Sequence, residues 1–342
     1  MKNLTPAKDK TKLPNLKLID KYNRNLNYLR ISIIDRCNLK CIYCLPHERI
    51  PKIPHTEILR YEEILRLVRV GIILGISKVR ITGGEPLFRK GVYNFLEQLT
   101  GIDGLLDVSL TTNGVLLKDN INKIKSAGIK RINISLDTLN KEKFVKITGY
   151  DYFDQIWEGI ELAQQMGFEP IKLNVVPFQG INDDELIDIA RLSFTHPFHI
   201  RFIEYMPLGN NQMFSDRQLL APEIKKRISS LGKLIAVGKD NNDGPANRFK
   251  FESAVGEIGF IQPISRHFCN SCNRLRLTAS GQLRPCLLSD YQEDLKASLR
   301  SGCSDSELAD IFIRAVRHKP SEHNLDVENH REVSGQMCSI GG

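Results

Sequence analysis

Short apolar runs alternate along this chain with longer stretches in which apolar residues recur at three- and four-residue intervals. The short runs are typical of buried strands and the periodic stretches of amphipathic helices. Their alternation predicts repeated strand and helix units around a parallel sheet. The six predicted strands are Leu29–Asp35, Lys78–Thr82, Asp107–Thr112, Arg131–Asp137, Ile171–Phe178 and Ile200–Met206.

The stretches between these strands predict helices, several of which end at a glycine that can adopt a left-handed cap, as at Gly128 and Gly167. Six such units are too few for a closed eight-stranded barrel. The predicted fold is therefore α/β, an open, partial (β/α)6 TIM-like barrel, with functional residues at the C-terminal ends of its strands. The predicted helices are Tyr61–Gly75, Val92–Thr100, Lys118–Ala127, Phe153–Met166 and Asp184–Phe194.

The same pattern divides the chain into three segments. Residues 1–24 are rich in Lys and Asn and lack periodicity, so we predict a mobile N-terminal extension. Residues 25–208 form the predicted partial barrel. The alternation stops after Met206, which predicts a smaller C-terminal region over residues 209–342.

Composition narrows the class of protein. The chain has 342 residues, 41% of them hydrophobic and 26% charged, as in soluble globular proteins. It has neither the roughly 20-residue apolar stretch that spans a bilayer nor the apolar core of a secretion signal, so we expect a cytoplasmic protein without membrane contacts. The net charge of +8 indicates an anionic ligand. Because the sequence contains no nucleic-acid recognition module, a small anionic substrate is favoured over nucleic acid.

Three cysteines, Cys37, Cys41 and Cys44, crowd into the loop after the first predicted strand. Thiolates select zinc or an iron–sulfur cluster. His47 would complete a closed zinc site, whereas a four-iron cluster on three thiolates keeps one iron open for a small molecule. The Cys-x3-Cys-x2-Cys spacing, with Tyr43 before the last cysteine, resembles the radical S-adenosylmethionine (SAM) enzymes and favours the cluster.

A second incomplete set lies in the C-terminal region, where Cys269 and Cys272 are followed after thirteen residues by Cys286. A zinc-stabilised hairpin with His267 as fourth ligand is one interpretation. The nearby Arg274 and Arg276 favour another, because alternate strand residues share a face and guanidinium groups match phosphate or purine acceptors. A solvated strand face is the alternative for these arginines.

Taken together, the motifs resemble the GTP 3′,8-cyclase family, which begins molybdenum cofactor biosynthesis. The resemblance runs from about Asn25 to the C-terminus. Beyond the two cysteine sets, it rests on the segments Ile81–Pro86, Leu110–Gly114, Asn133–Asp137, Ile171–Asn174, Asn273–Arg276 and Gly341–Gly342.

The resemblance implies two four-iron clusters and a bound SAM. Cys37, Cys41 and Cys44 would hold the first cluster, and Cys269, Cys272 and Cys286 the second. The residues implied to contact SAM are Tyr43, Gly83, Gly84, Ser135 and Met206, with Glu85 nearby.

For GTP, the resemblance implies contacts from basic and polar strand residues and from the segment beside the second cluster. The C-terminal glycines would enter the barrel and help to place catalytic groups, with Arg274 and Arg276 beside the guanine ring. The implied GTP contacts are Arg30, Arg80, Thr111, Lys172, Arg274, Leu275 and Arg276, and the tail residues are Gly341 and Gly342.

The implied reaction starts when an electron from the first cluster cleaves SAM to a 5′-deoxyadenosyl radical. This radical would abstract hydrogen from C3′ of GTP, and the carbon radical would close onto C8, giving (8S)-3′,8-cyclo-7,8-dihydroguanosine 5′-triphosphate. The implied partners are GTP, a one-electron reductant and a downstream pathway enzyme, for a monomer or homodimer. Ile34 stands where related enzymes often have Thr. Cys303 is expected to be a small buried or surface residue, and Cys338 could be reactive but is expected to be a bystander, with neither touching a proposed ligand.

Three alternatives remain open at this level. A radical SAM enzyme that modifies a peptide would usually bring more cysteines than the second set contains. An iron–sulfur electron carrier would have no need of the Ile81–Pro86 segment or of six barrel strands. A zinc-dependent nucleic-acid-binding protein would contain zinc instead of iron.

Overall fold

The computed structural model describes residues 17–44, 52–208, 216–238, 244–323, 333 and 337–341. Six strands and six helices make up the N-terminal part of this structure, and the predicted strands are all present. The strands are β1 Tyr28–Ser32, β2 Lys78–Thr82, β3 Asp107–Thr112, β4 Arg131–Ser135, β5 Ile171–Val175 and β6 His199–Ile203. The helices are α1 Tyr61–Ile73, α2 Val92–Thr100, α3 Leu117–Ser126, α4 Lys141–Thr148, α5 Phe153–Gln165 and α6 Leu186–Thr195.

Four of these strands end two or three residues earlier than predicted, and α4 was not predicted. The apolar pattern continues beyond the paired residues because the loops after the strands are themselves buried. Ile33 and Ile34 follow β1 in this way, and Leu136 follows β4. These buried loops bring the segments after the strands to one end of the sheet.

The C-terminal region contributes further strands and helices. Its strands are β7 Leu234–Ala236, β8 Asn247–Phe251, β9 Glu257–Ile261, β10 Arg274–Leu277, β11 Gln282–Arg284 and β12 Glu293–Asp294. Its helices are α7 Ala221–Ile228, α8 Leu295–Arg300, α9 Asp305–Arg317 and α10 Met337–Ile340.

All twelve strands belong to one sheet, in the order β12-β11-β10-β1-β2-β3-β4-β5-β6-β9-β8-β7. β10 pairs in parallel with β1, and β9 pairs in parallel with β6. The six predicted parallel strands are thus extended to eight, because β10 and β9 cover backbone groups that the edges β1 and β6 would otherwise expose. The open α/β architecture is confirmed, and its C-terminal region is built into the same sheet.

Residues 17–24, predicted within the mobile extension, are packed against the C-terminal region. Arg24 forms an ion pair with Asp20 at 2.6 Å and donates hydrogen bonds to the carbonyl oxygens of Cys269, Pro320 and Ser321. Residues 1–16 lie outside the described part of the chain. The packed part of the chain therefore begins before the predicted boundary.

Alternation along the strands separates core residues from residues that can meet a ligand. In β1, Leu29 and Ile31 join the hydrophobic core, while Arg30 between them lies on the opposite face and lines a cavity. Among the described residues, no helix has the length and apolar character needed to cross a membrane.

Candidate functional site

One cavity of about 910 Å³ lies where the ends of the parallel strands meet the C-terminal region. It brings together both cysteine sets and most of the predicted SAM and GTP contacts. Leu275 is an exception, because its side chain is buried in the hydrophobic core. The predicted site residues that line the cavity are Arg30, Cys37, Cys41, Tyr43, Cys44, Arg80, Gly83, Gly84, Thr111, Ser135, Lys172, Met206, Cys269, Cys272, Arg274, Arg276 and Cys286.

The first cysteine loop is held by backbone hydrogen bonds to the end of α4. The N–H groups of Lys40 and Ile42 donate to the carbonyl oxygens of Thr148 and Ile147, each at 2.9 Å. Cys37 accepts weaker contacts through its sulfur, and burial raises its pKa to about 11. A thiol in such surroundings becomes a thiolate when a bound metal stabilises the negative charge.

Tyr43 ties this loop to the ends of β4 and β5. Its hydroxyl donates to Asp137 Oδ2 at 2.5 Å, and Asp137 Oδ1 accepts from the Val176 N–H at 2.8 Å. Burial raises the pKa of Asp137 to about 6. Asp137 lies in one of the motifs on which the resemblance rests. The sequence did not predict its role, because Tyr43, the residue that it contacts, is far away in the chain.

The glycine pair after β2 lies directly against the start of the cysteine loop. Gly84 N–H donates to the Ile34 carbonyl oxygen at 2.7 Å. A Cβ atom on Gly84 would lie 2.2 Å from the Arg36 carbonyl oxygen, and one on Gly83 would lie 2.5 Å from that of Ile34. Only residues without side chains allow this close approach of two backbones.

Glu85 is fully buried beside the glycines and is not part of the cavity wall. Its carboxylate accepts hydrogen bonds from Leu87 N–H, Thr112 Oγ1 and Asn113 N–H at 2.7 to 2.9 Å. Burial raises its pKa to about 7 despite these donors. Glu85 thus connects the ends of β2 and β3 beneath the site.

Strand register places a row of guanidinium groups side by side in the part of the cavity that we call its cationic half. Arg276 on β10 is level with Arg30 on β1, which is level with Arg80 on β2. Burial and the neighbouring Arg274 lower the pKa of Arg276 to about 9. A partly buried concentration of positive charge of this kind is suited to a polyanionic ligand.

Further cations line the same half of the cavity beside the predicted Lys172. Lys78, Arg131 and Arg201 were not predicted as site residues, although each is a basic residue in a predicted strand, as Arg30 is. Lys78 and Arg131 form ion pairs with Asp107. Burial and the adjacent Arg201 lower the pKa of Lys172 to about 6.

The second cysteine set lies next to positive charge. Burial alone would raise the pKa of Cys272, but Arg274 and Lys319 outweigh it and lower that pKa to about 6. The Lys319 ammonium also donates to the carbonyl oxygens of Arg274 and Pro285, at 2.9 Å for Arg274. The site therefore stabilises at least one thiolate before any metal is considered.

The C-terminal tail reaches both halves of the cavity. The thiols of Cys338 and Cys44 form a hydrogen bond, so the expectation that Cys338 touches no proposed ligand was wrong. Arg276 Nη1 donates to the Gly341 carbonyl oxygen. Gly341 has φ +82°, and a Cβ there would lie 2.7 Å from Thr82 Cγ2. Gly342 and His47 lie outside the described residues.

Comparisons with known families agree with this two-part site. The model described as "Radical SAM superfamily" matches residues 31–193, and the one described as "Molybdenum Cofactor Synthesis C" matches residues 198–325. The chain is 49% identical to the GTP 3′,8-cyclase of Thermodesulfovibrio yellowstonii, over 94% of this chain and 99% of the relative. It is 48% identical to that of Moorella thermoacetica, with the same coverage.

Among solved structures, the chain is similar to Streptococcus suis SuiB bound to S-adenosylmethionine. The TM-score is 0.58 at 14% identity, and the match covers 90% of this chain and 78% of SuiB. At this level of identity the likeness shows the fold alone.

Proposed function

Since the chain belongs to the GTP 3′,8-cyclase family, we propose that it converts GTP to (8S)-3′,8-cyclo-7,8-dihydroguanosine 5′-triphosphate in molybdenum cofactor biosynthesis. The observation that carries this proposal is one cavity lined by two sets of three cysteines and by a row of three arginines, Arg276, Arg30 and Arg80, which are level on neighbouring strands. One set suits a radical source and the other an anionic substrate.

Both cysteine sets fit four-iron clusters. Each offers three soft sulfur donors toward the cavity, which is the donor set that leaves one iron open for a ligand. Cys37, Cys41 and Cys44 would hold the cluster that binds SAM, and the open iron of the other would meet the guanine ring. The ligands of that second cluster would be Cys269, Cys272 and Cys286.

When bound, the first cluster and SAM supply the radical that takes hydrogen from C3′ of GTP and allows C3′ to bond to C8. The chain's own residues bind and orient the two reactants. Tyr43, Gly84, Ser135 and Met206 line the cavity together with the first cysteine set, as SAM contacts should. Tyr43 is held in place for this role by Asp137.

GTP would occupy the cationic half of the cavity. Arg30, Arg80 and Lys172 would bind the triphosphate, and Thr111 lies on β3, one of the two strands between Arg80 and Lys172. Arg274 and Arg276 would contact the substrate near the second cluster. Leu275 would contribute backbone contacts only, since its side chain joins the core.

The tail would act through Arg276. The Gly341 carbonyl oxygen accepts a hydrogen bond from Arg276 Nη1, so the position of Gly341 fixes the direction of a guanidinium group that faces the cavity. We therefore assign Gly341, with Gly342 after it, a positioning role in catalysis. Arg274 and Arg276 would touch the substrate directly.

The proposed activity needs a one-electron reductant and supplies a downstream enzyme of the pathway. We propose that the enzyme works in the cytoplasm, where thiols remain reduced, as a monomer or homodimer.

The direct test is anaerobic reconstitution of the full chain with iron and sulfide, followed by incubation with SAM, GTP and a one-electron reductant. We expect about eight irons per chain and formation of the cyclised nucleotide together with 5′-deoxyadenosine, measured by mass spectrometry. Reconstituted protein that takes up no iron, or that makes no cyclised product, would contradict the proposal.

A further inference from the structure

A second possible ligand set overlaps the second cysteine set. His267, Cys269 and His323 each offer one donor atom, and these atoms all lie within 4.8 Å of one another. The rings of His267 and His323 have centroids 4.2 Å apart, and the backbone N–H of His323 donates to the Cys269 sulfur. The three donor atoms are close enough for small side-chain rotations to bring them around a single tetrahedral ion.

These donors come from segments far apart in the chain, yet buried contacts hold them together. The Arg24 guanidinium donates to the Cys269 carbonyl oxygen at 2.7 Å and to the Ser321 carbonyl oxygen at 2.9 Å. It also donates to the Pro320 carbonyl oxygen at 2.6 Å. Arg24 is in turn held by Asp20. The segments that carry Cys269 and His323 are therefore connected through one side chain before any metal binds.

Two imidazoles and one thiolate form a donor set suited to zinc, which takes four ligands and accepts a water in the fourth position. Zinc binds such nitrogen and sulfur donors more tightly than ferrous iron does. We propose that the cluster-free chain binds one Zn²⁺ ion through His267, Cys269 and His323, with loss of the Cys269 thiol proton. Because Cys269 also belongs to the proposed second cluster, zinc and that cluster would exclude each other.

Only this exclusion rests on the proposed function. The zinc site itself is defined by the three donors. The proposal predicts that zinc binds at the second cysteine set through Cys269 and two histidines. The cluster does not use these histidines.

The experiment uses cluster-free, reduced full-length protein in which Cys37, Cys41 and Cys44 are replaced by Ser, so that the first set contributes no thiolate. Zn²⁺ alone is titrated under nitrogen against a chromophoric chelator. We expect one tightly bound zinc per chain, with X-ray absorption showing two nitrogen neighbours and one sulfur neighbour. His267→Ala and Cys269→Ser should each weaken binding at least roughly tenfold.

His318→Ala and Cys303→Ser are matched controls that should leave zinc binding unchanged, because His318 is exposed on the surface and Cys303 lies beside Arg66. His323→Gln provides a second test of the imidazoles, and Cys286→Ser should retain zinc. Coordination by sulfur alone, or wild-type zinc affinity in both His267→Ala and His323→Gln, would overturn the proposal. A failure of the wild-type enzyme to make cyclised nucleotide would overturn the proposed function and leave the zinc titration unaffected.

Discussion

The two cysteine sets face the same cavity in opposite electrostatic surroundings. At the first set, burial raises the pKa of Cys37 and Cys41, and the carboxylates of Glu85 and Asp137 raise it further. At the second set, burial still raises the pKa of Cys269, but Arg274 and Lys319 overcome burial at Cys272 and lower its pKa. The two halves of one cavity therefore favour ligands of opposite charge.

This difference matches the two proposed reactants. SAM carries a positively charged sulfonium and suits the half lined by Asp137, whereas the triphosphate of GTP suits the half with arginines and lysine. A single cavity can then hold a cation and a polyanion next to each other, each in its own half. The proposed reaction needs this arrangement because hydrogen passes from one reactant to the other.

The largest effect is expected when one cysteine is removed from each set in turn. Cys41→Ser and Cys272→Ser should each reduce the iron content from about eight to about four per chain. Only Cys41→Ser should abolish SAM cleavage, because its set faces the radical source, while Cys272→Ser should still release 5′-deoxyadenosine without cyclised product. Iron analysis and chromatography of the products make the measurement.

Cys303→Ser is the control for loss of a thiol and should behave as wild type, since Cys303 lies beside Arg66 and is not part of the cavity wall. Loss of SAM cleavage to the same extent in Cys41→Ser and Cys272→Ser would show that the two sets do not divide the chemistry.

The tail connects the two halves, and its glycine tests that connection. Gly341→Ala places a Cβ 2.7 Å from Thr82 Cγ2 at a left-handed backbone position, so the Gly341 carbonyl oxygen should move away from Arg276. Because a displacement of about 1 Å can lower a rate ~100-fold, we expect that loss in cyclisation with both clusters and SAM binding intact. Deletion of Gly341 and Gly342 should have at least the same effect, in anaerobic single-turnover assays.

Gly302 provides a matched control. It also has a left-handed backbone, at φ +84°, but a Cβ there would have no neighbour within 4 Å. Gly302→Ala should keep the cyclisation rate while carrying a similar backbone strain. A wild-type cyclisation rate in the Gly341→Ala enzyme would show that the tail does not position catalytic groups.

The sequence was informative where the signal is local. The strands of the first part were predicted because buried parallel strands form continuous apolar runs. Arg30 and Lys172 were predicted from the resemblance, and a charge in such a run is also costly unless it is paired or bound to a ligand. Arg201 is likewise a charged residue in a strand, β6, but was not predicted as a site residue. The role of each of these residues remains a prediction.

What the sequence did not reveal depends on contacts between distant segments. The parallel pairing of β10 with β1 places Arg274 next to Tyr28. The spacing of apolar residues predicts that a strand forms, but it does not indicate which distant strand will pair with it. The same holds for the contact of Cys338 with Cys44 and for Arg24, whose partners are backbone carbonyl groups that any sequence would supply.

A smaller effect is expected when single cations are removed from the GTP half. Loss of a hydrogen bond to a charged group costs roughly 1.5 to 3 kcal/mol. Arg80→Ala, Arg274→Ala, Arg276→Ala and Lys172→Ala should therefore each weaken GTP binding about ten- to a hundredfold, with SAM affinity unchanged. Anaerobic calorimetry measures both affinities.

Arg191→Ala is the matched control for loss of a guanidinium group, because Arg191 is exposed on α6 and paired with Asp188. Its affinity for GTP should equal that of wild type. If Arg276→Ala bound GTP as tightly as Arg191→Ala, the row of guanidinium groups would not be the substrate site.

The smallest effect is the uptake of a proton at Lys172 when GTP binds. Its pKa is lowered to about 6 by burial and by Arg201, so at pH 8 its amine is mostly neutral in the free enzyme. The bound triphosphate favours the ammonium form and raises this pKa, so binding should take up a fraction of a proton, up to about one. GTP affinity should accordingly fall as the pH rises from about 6 to the raised pKa.

Calorimetry at pH 8 in buffers of different ionisation enthalpy measures the uptake of the proton. The γ-phosphate of GTP is already ionised at this pH. Lys172→Gln should abolish it, whereas Arg80→Gln should retain it because a guanidinium group keeps its charge. Equal uptake in Lys172→Gln and wild type would place the titrating group elsewhere.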